Sequence, residues 1–300
     1  MRIAVIDLGT NTFNLSIAEK RGKEFVTILG DKEGVGLGLG GINKGLITND
    51  AIYRGLAALR RFKTLSEKNG VAKFVLIGTS ALRNAENKKA FIDVVWRELK
   101  LKIHVISGTE EAALIYEGVT SVKKPEKPAL IMDIGGGSTE FVFADSKGQI
   151  KSRSFEIGVS RIYQMFKLND PLNEKDCSDI ENYLNESCGD FFDDVKAKEL
   201  IGASGTFETF YELCFNERYP ERKTVSMSRD EMMPHLSDVI NSTQAEREKN
   251  EWIIPIRKKM APIAAVKIQW IMRKLDIETV SISPFSLKEG VLKNLDKYVK

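Results

Sequence analysis

The chain has 300 residues, 42% of them hydrophobic and 29% charged, the balance of a folded globular protein and not of a disordered tail or a disulfide-stapled miniature. This is about twice the ~150-residue scale of a single domain, so two domains are expected. Forty-five basic against 42 acidic residues leave a net charge of +3, too even for a dedicated nucleic-acid binder but compatible with a local basic groove for a polyanion.

Ile3 to Asp7 predicts a short strand ending on an aspartate, Leu8-Gly9-Thr10-Asn11 a turn, and Thr12 to Glu19 a second strand that closes a hairpin. Gly36 to Gly41 fits GxGxxG, but no clear strand precedes it and no helix follows at once, so a loop is the better reading than a dinucleotide site. Thr48-Asn49-Asp50 supplies helix-start chemistry, and Ile52, Leu56, Leu59, Phe62 and Leu65 recur at helical spacing, predicting a helix over 50–68. A strand is expected over Lys73 to Gly78, a helix over Asn84 to Leu99 and a strand over Lys102 to Ile106. Ser107-Gly108-Thr109-Glu110 fits a capping box opening a helix from Glu110 to Val119.

Residues 123–128 carry two prolines among charges, which suit neither a helix interior nor a central strand, so a boundary is placed there between domains 1–124 and 125–300. After it Ala129 to Asp133 repeats the opening pattern: strand, aspartate, glycine-rich turn, then a strand from Thr139 to Asp145. Glu199 to Ile201 reads as a strand leading into Gly202-Ala203-Ser204-Gly205-Thr206. Capping boxes at Ser228 to Glu231 and Thr243 to Glu246, helices over 256–275 and 287–298, and a strand over Thr279 to Ser283 complete the chain. The pair Ile6 to Gly9 and Met132 to Gly135, and the pair Gly78 to Ser80 and Gly202 to Ser204, recur at nearly the same offset. A βββαβα unit occurring twice is therefore expected.

The two turns carry the chemistry. Glycines let consecutive backbone N–H groups point at an anion, and the strand-end carboxylates of Asp7 and Asp133 can hold Mg²⁺ directly or through water. Gly135-Gly136-Gly137 is the sharper copy, because three successive glycines between strands imply close backbone approach. Gly202, Ser204, Gly205 and Thr206 place amides and hydroxyls at a helix start, an anion site, and Arg83 in the matching first-half turn can grip a phosphate with two donors. Glu111 shares a helical face with Leu114, Ile115 and Gly118, whereas Glu110 leans toward Ala113 and Glu117. No GxxxxGK[ST] occurs. Three scattered cysteines (Cys177, Cys188, Cys214) and two histidines (His104, His235) indicate neither a disulfide framework nor zinc chemistry. Asp7 interrupts the first apolar run and no stretch approaches the ~18 apolar residues of a membrane span, so a cytoplasmic protein without a membrane partner is expected.

Ala4 to Thr12, Gly78 to Arg83, Ile106 to Ala112, Asp133 to Glu140 and Gly202 to Thr206, in that order and followed by Ser286 to Val291, resemble the exopolyphosphatase and guanosine pentaphosphate phosphohydrolase family of the actin, chaperone ATPase and sugar kinase superfamily. The resemblance implies an α/β fold of two ribonuclease-H-like (actin-like ATPase) domains with an interdomain phosphate cleft. It implies Glu111 as catalytic base, Asp133 and Glu140 holding Mg²⁺ and the attacking water, and Asn11, Arg83, Gly135, Gly136, Gly137, Ser138 and the Gly202 to Thr206 turn as phosphate contacts. The expected activity is Mg²⁺-dependent release of terminal orthophosphate from inorganic polyphosphate, with guanosine pentaphosphate as the alternative substrate. A nucleotide-binding clamp or a phosphotransferase would use the same loops, and a homodimer is allowed. A long polyanion would also need cations beyond the loops; Arg218, Arg222, Lys223, Arg257, Lys258 and Lys259 are the candidates.

Overall fold

The computed structural model describes residues 1–22, 24–220 and 222–299. Its first sheet has the order β3-β2-β1-β4-β5, from β1 (Arg2–Leu8), β2 (Thr12–Arg21), β3 (Glu24–Gly34), β4 (Lys73–Gly78) and β5 (Ile103–Val105). The first three strands form an antiparallel meander, while β4 and β5 lie parallel to β1. Parallel neighbours need crossovers, and helices supply them: α1 (Asn49–Lys68) before β4, then α2 (Ser80–Asn84) and α3 (Lys88–Leu99) before β5, with α4 (Gly108–Val119) after it.

The second sheet contains β6 (Ala129–Ile134), β7 (Thr139–Asp145), β8 (Gly148–Phe155), β9 (Glu199–Ala203), β10 (Val225–Ser228) and β11 (Thr279–Ile282). Its order, β8-β7-β6-β9-β11 with β10 antiparallel at the edge, repeats the meander and the two parallel strands of the first. The spacing of the turns implies the doubling, and the family resemblance implies its ribonuclease-H-like form. The repetition reaches single hydrogen bonds: Gly9 N–H donates to the Thr12 carbonyl at 3.2 Å and Gly135 N–H to that of Ser138 at 3.0 Å. The added helices of the second half are α5 (Val159–Met165), α6 (Glu174–Cys188), α7 (Gly205–Phe215), α8 (Arg229–Asn241), α9 (Gln244–Lys249), α10 (Ala261–Lys274) and α11 (Leu287–Lys293).

One apolar cluster belongs to both sheets. Val5 and Val75 of the first and Ile131, Val142 and Ile201 of the second are buried with Ala112 and Ile115 of α4 and Val291 of α11. Each aliphatic side chain so buried contributes roughly 1.5–3 kcal/mol, so α4 and α11 act as a shared inner layer. They cross at glycine on glycine: a Cβ on Gly118 would stand 1.9 Å from the Ser286 carbonyl oxygen, and one on Gly290 1.9 Å from that of Leu114.

Several sequence boundaries move. The helix expected over 84–99 begins only at Lys88, because Asn84 ends the preceding short helix α2 and Ala85 takes an extended conformation. The helix expected over 256–275 starts at Ala261 after a 3₁₀ turn at Pro255–Arg257, with Pro262 in its first turn, where a missing N–H costs nothing. The last helix stops at Lys293, and a 3₁₀ turn, Leu295–Lys297, follows. Ser107 caps α4 by accepting from Glu110 N–H at 3.1 Å, but the return bond of a capping box is missing because the Glu110 carboxylate accepts from the Tyr298 hydroxyl at 2.7 Å. Among the described residues no helix is long and apolar enough to cross a membrane.

Candidate active site

The matched turns at the ends of β1 and β6 open onto one cleft of about 570 Å³ between the sheets, which Glu111 and the start of α7 also line. Strand register explains why the second turn is the more acidic. Across the first hairpin Asp7 faces Asn14, and across the second Asp133 faces Glu140. In the first, Asn14 Nδ2 donates to Asp7 Oδ2 at 3.1 Å, leaving the buried Asp7 Oδ1 without a partner. In the second, Ser286 Oγ donates to Asp133 Oδ2 and Ser154 Oγ to Glu140 Oε1, both at 2.7 Å.

Burial pushes the Asp7 carboxyl up to about 6, against the Asn14 hydrogen bond. Glu140 rises to about 7, through burial first and then the neighbouring charge of Asp133. Asp133 rises through burial although Ser286 and Ser204 donate to it. Glu111 rises well above the usual carboxylate range, through burial and the Glu140 charge, against the opposing Arg83 guanidinium. Three buried carboxylates, Glu111, Asp133 and Glu140, and the half-buried Asp7 thus face one cleft, a distribution that a cation relieves. Among the described residues no three His, Cys, Asp or Glu side chains are grouped to hold a metal unaided. Mg²⁺ requires less, since it usually keeps several waters and takes one or two carboxylates plus substrate phosphates. The orphaned Asp7 Oδ1, in the same cleft as Asp133 and Glu140, fits that mode of binding.

The glycine turns meet face to face. A Cβ on Gly136 would stand 2.7 Å from the Asn11 side chain, and one on Gly137 2.5 Å from Ser80 Oγ and Thr10 Oγ1, so only glycine allows this approach. Asn11, Gly135, Ser138, Ser204, Gly205 and Thr206 all line the cleft. Ser204, the residue before α7, has φ +70°, an uncommon conformation for a residue with a side chain.

Two residues expected at phosphate, Gly202 and Arg83, are not among those that line the cleft. Gly202 does not line the cleft and instead sits under the Phe207 ring, which a Cβ would meet at 2.1 Å. Arg83 stands behind Glu111: its Nη1 donates to Glu111 Oε2 at 2.7 Å, and its Nη2 faces Glu156 Oε1 at 3.3 Å. The basic candidates scatter. Arg257 lines the cleft and donates to Thr209 Oγ1 at 2.8 Å. Lys258 turns inward, its ammonium donating to the Glu248 carbonyl at 2.5 Å. Arg218 lies over the Trp252 ring and pairs with Glu212, Arg222 donates to the Thr27 carbonyl, and Lys223 and Lys259 are exposed. Lys32 of β3 and Lys288 of α11, absent from the sequence expectation, line the cleft beside Arg257.

Lys267 of α10 supports the glycine turn from behind. Fully buried, it donates to Thr139 Oγ1 and to the Ile157 carbonyl. Burial lowers its ammonium from the ordinary 10.5 to about 7. Between those values the unfolded chain binds a proton that the folded chain does not, so stability rises with pH through this window. Urea unfolding at about pH 7 and about pH 9 is expected to show that rise in the wild type and a flatter profile in Lys267→Met.

A sequence model of the Ppx/GppA phosphatase family matches residues 16–298. The bifunctional 3-dehydroquinate synthase/phosphatase of Fusobacterium nucleatum is 35% identical over 219 residues, 69% of this chain and 33% of that protein, so the chain spans about a third of that curated relative. The crystal structure of an exopolyphosphatase from Cytophaga hutchinsonii superposes with a TM-score of 0.94 at 34% identity, covering 100% of this chain and 99% of that one. The fold also matches the Aquifex aeolicus member of the Ppx/GppA family, with a TM-score of 0.82 at 24% identity over 100% of this chain and 99% of the other.

Proposed function

The chain belongs to the Ppx/GppA phosphatase family, and on that premise we propose that it is a phosphoanhydride hydrolase that removes terminal orthophosphate from inorganic polyphosphate. The observation that carries the reading is a buried Glu111 in the same cleft as two glycine turns and three further carboxylates. The name of the Cytophaga hutchinsonii relative supports it. Residues 1–124 and 125–300 would act as the two jaws.

In this reading the N–H groups of Gly136, Gly137 and Ser138 and of the α7 start hold the terminal phosphoryl oxygens, where preorganised donors stabilise charge as it develops, while the Gly135 N–H closes the turn on the Ser138 carbonyl. Glu111, oriented by Arg83, positions a water in line with the leaving oxygen and accepts its proton. Asp133, Glu140 and Asp7 would hold Mg²⁺, which when bound neutralises charge on the phosphate oxygens. Arg257, Lys32 and Lys288 take the charge of the following phosphates. No covalent intermediate is required.

Purified protein with Mg²⁺ is expected to release orthophosphate from long polyphosphate, and excess chelator to abolish that release. The same assay with guanosine pentaphosphate decides substrate preference. Release from neither overturns the reading, and tight ATP binding without polyphosphate binding would favour a nucleotide clamp.

Cation contacts with an exposed polymer are screened over ~8 Å at physiological salt. KM for long polyphosphate is therefore expected to rise steeply with added KCl while kcat changes little. Lys32→Ala with Lys288→Ala should mimic part of that rise. Lys258→Ala should not, because its ammonium is already held by Glu248. A KM indifferent to salt would point to a compact substrate such as guanosine pentaphosphate.

A further inference from the structure

The domains share a second contact, distinct from the α4–α11 crossing and centred on Glu156 just after β8. One Glu156 oxygen accepts from Ser80 Oγ at 2.7 Å and from Arg161 Nη2 at 2.8 Å, and the other faces Arg83 Nη2 at 3.3 Å. Ser80 and Arg83 belong to α2 of the first half, and Arg161 to α5 of the second. Both guanidiniums continue to residues that line the cleft. Arg83 Nη1 donates to Glu111 at 2.7 Å, and Arg161 Nε donates to the carbonyl of Gly137 at 3.2 Å.

Arg161 also reaches back to the first half. Its Nη1 donates to the Ile42 carbonyl at 3.2 Å and to Asn43 Oδ1 at 3.3 Å, while Asn43 Nδ2 donates to the Arg161 carbonyl at 3.0 Å. One turn further along α5, Gln164 accepts from Gly40 N–H at 2.7 Å and donates to the Gly38 carbonyl at 3.3 Å. The stretch that fits a dinucleotide pattern thus serves as a dock for α5. Its turn depends on glycine, with φ of +58° at Gly36 and +76° at Gly40. The same loop props the first phosphate turn, because Gly36 N–H donates to the Asn11 carbonyl at 2.8 Å and Gly38 N–H to that of Thr10 at 3.0 Å.

We propose that Glu156 is a positioning residue for the hydrolysis: it yokes Arg83 to Arg161 across the domain interface, so that docking of α5 on the 36–45 loop seats Glu111 opposite the Gly135 to Gly137 turn. The inference rests on the hydrolase reading above. Its physics is that of one carboxylate shared by two cations. A guanidinium is planar, so fixing one edge on Glu156 aims the other at Glu111, and charge-assisted bonds are roughly twice as strong as neutral ones. Although partial burial pushes the Glu156 carboxyl up, hydrogen bonds from Asn84 and Ser80 and the charges of Arg83 and Arg161 hold it below the usual range, so it stays anionic. Without that charge two like-charged arginines face each other across the interface, and a ~1 Å displacement of an aligned group costs on the order of 10²-fold in rate.

Full-length Glu156→Gln, assayed on polyphosphate with Mg²⁺, is expected to lose roughly tenfold or more in kcat with KM changed less than about threefold, since Glu156 itself does not line the cleft. Glu156→Asp, which keeps the charge, should recover most of the loss. Hydrogen exchange without substrate should rise in residues 36–45 and 159–165 of Glu156→Gln. Asn43→Ala with Gln164→Ala, which leaves Glu156 and both arginines intact, should raise exchange in the same segments and lower kcat severalfold. Wild-type kcat and unchanged exchange in Glu156→Gln would overturn the proposal, as would a loss that Glu156→Asp does not restore and that comes with faster exchange throughout the chain. If the wild type releases no phosphate, the hydrolase reading fails, and exchange in the two segments still decides whether Glu156 holds the dock.

Discussion

Glu111→Gln is expected to lower kcat on polyphosphate by ~10²- to 10⁴-fold while leaving substrate binding largely intact. The amide keeps the shape of the side chain and its contact with Arg83 but cannot accept a proton. Burial and the charge of Glu140 raise the Glu111 carboxyl, which makes it a stronger proton acceptor than an exposed glutamate. Its position in the first turn of α4 adds the favourable helix-dipole interaction that keeps a buried carboxylate tolerable. Glu110 shares that dipole but not the cleft, because its carboxylate meets the Tyr298 hydroxyl at 2.7 Å. Glu110→Gln should therefore change kcat by less than about twofold. Equal losses from the two substitutions, measured as kcat with KM determined separately, would assign the effect to helix-terminal charge and not to a general base.

Gly290→Ala is expected to destabilise the protein by about 3 kcal/mol or more, the upper end for overpacking a filled site. In an unconstrained helix the same change would stabilise by up to ~1 kcal/mol, so the two outcomes differ in sign. The difference arises because the new methyl would lie 1.9 Å from the Leu114 carbonyl oxygen, which is backbone and cannot rotate away. Separating α4 from α11 also shifts Ser286, which donates to Asp133 at 2.7 Å, so kcat should fall with stability. Gly30→Ala, whose methyl would meet nothing closer than 3.9 Å, is the control for stability alone. Urea midpoints of the three proteins check this, and a Gly290→Ala midpoint equal to or above wild type would show that the crossing adjusts.

What could be read from the sequence followed from local rules. An aspartate at a strand end, a glycine turn and a following strand recur at a fixed offset, and that recurrence sufficed for the doubled sheet. Helical periodicity puts Glu111 on the face of Leu114, Ile115 and Gly118, which is buried, but it favours Glu111 over Glu110 only slightly, and the role of base comes from the family resemblance. What could not be read depends on contacts between distant segments. The partnership of Arg83 with Glu156 joins residues 73 apart, and no periodicity encodes it. Lys32 and Lys288 reach the cleft from β3 and from the first turn of α11, where either would ordinarily be taken for a solvated surface charge. The run Arg257-Lys258-Lys259 looks like one basic face, but the chain passes from the 3₁₀ turn at Pro255–Arg257 toward α10 there. Arg257 consequently enters the cleft, Lys258 is buried and Lys259 faces outward. Gly202 has the sequence surroundings of a phosphate glycine, yet its lack of a side chain makes room for Phe207.

The central claim is that a water activated by Glu111 attacks the terminal phosphorus of the chain. Hydrolysis of polyphosphate with Mg²⁺ in ¹⁸O-labelled water tests it most directly, by mass analysis of the released orthophosphate. Each orthophosphate released in the first turnovers should carry one labelled oxygen, the shortened polymer should carry none, and Glu111→Gln should suppress both release and labelling in parallel. Label found in the polymer end, orthophosphate free of label, or undiminished labelling in Glu111→Gln would contradict it.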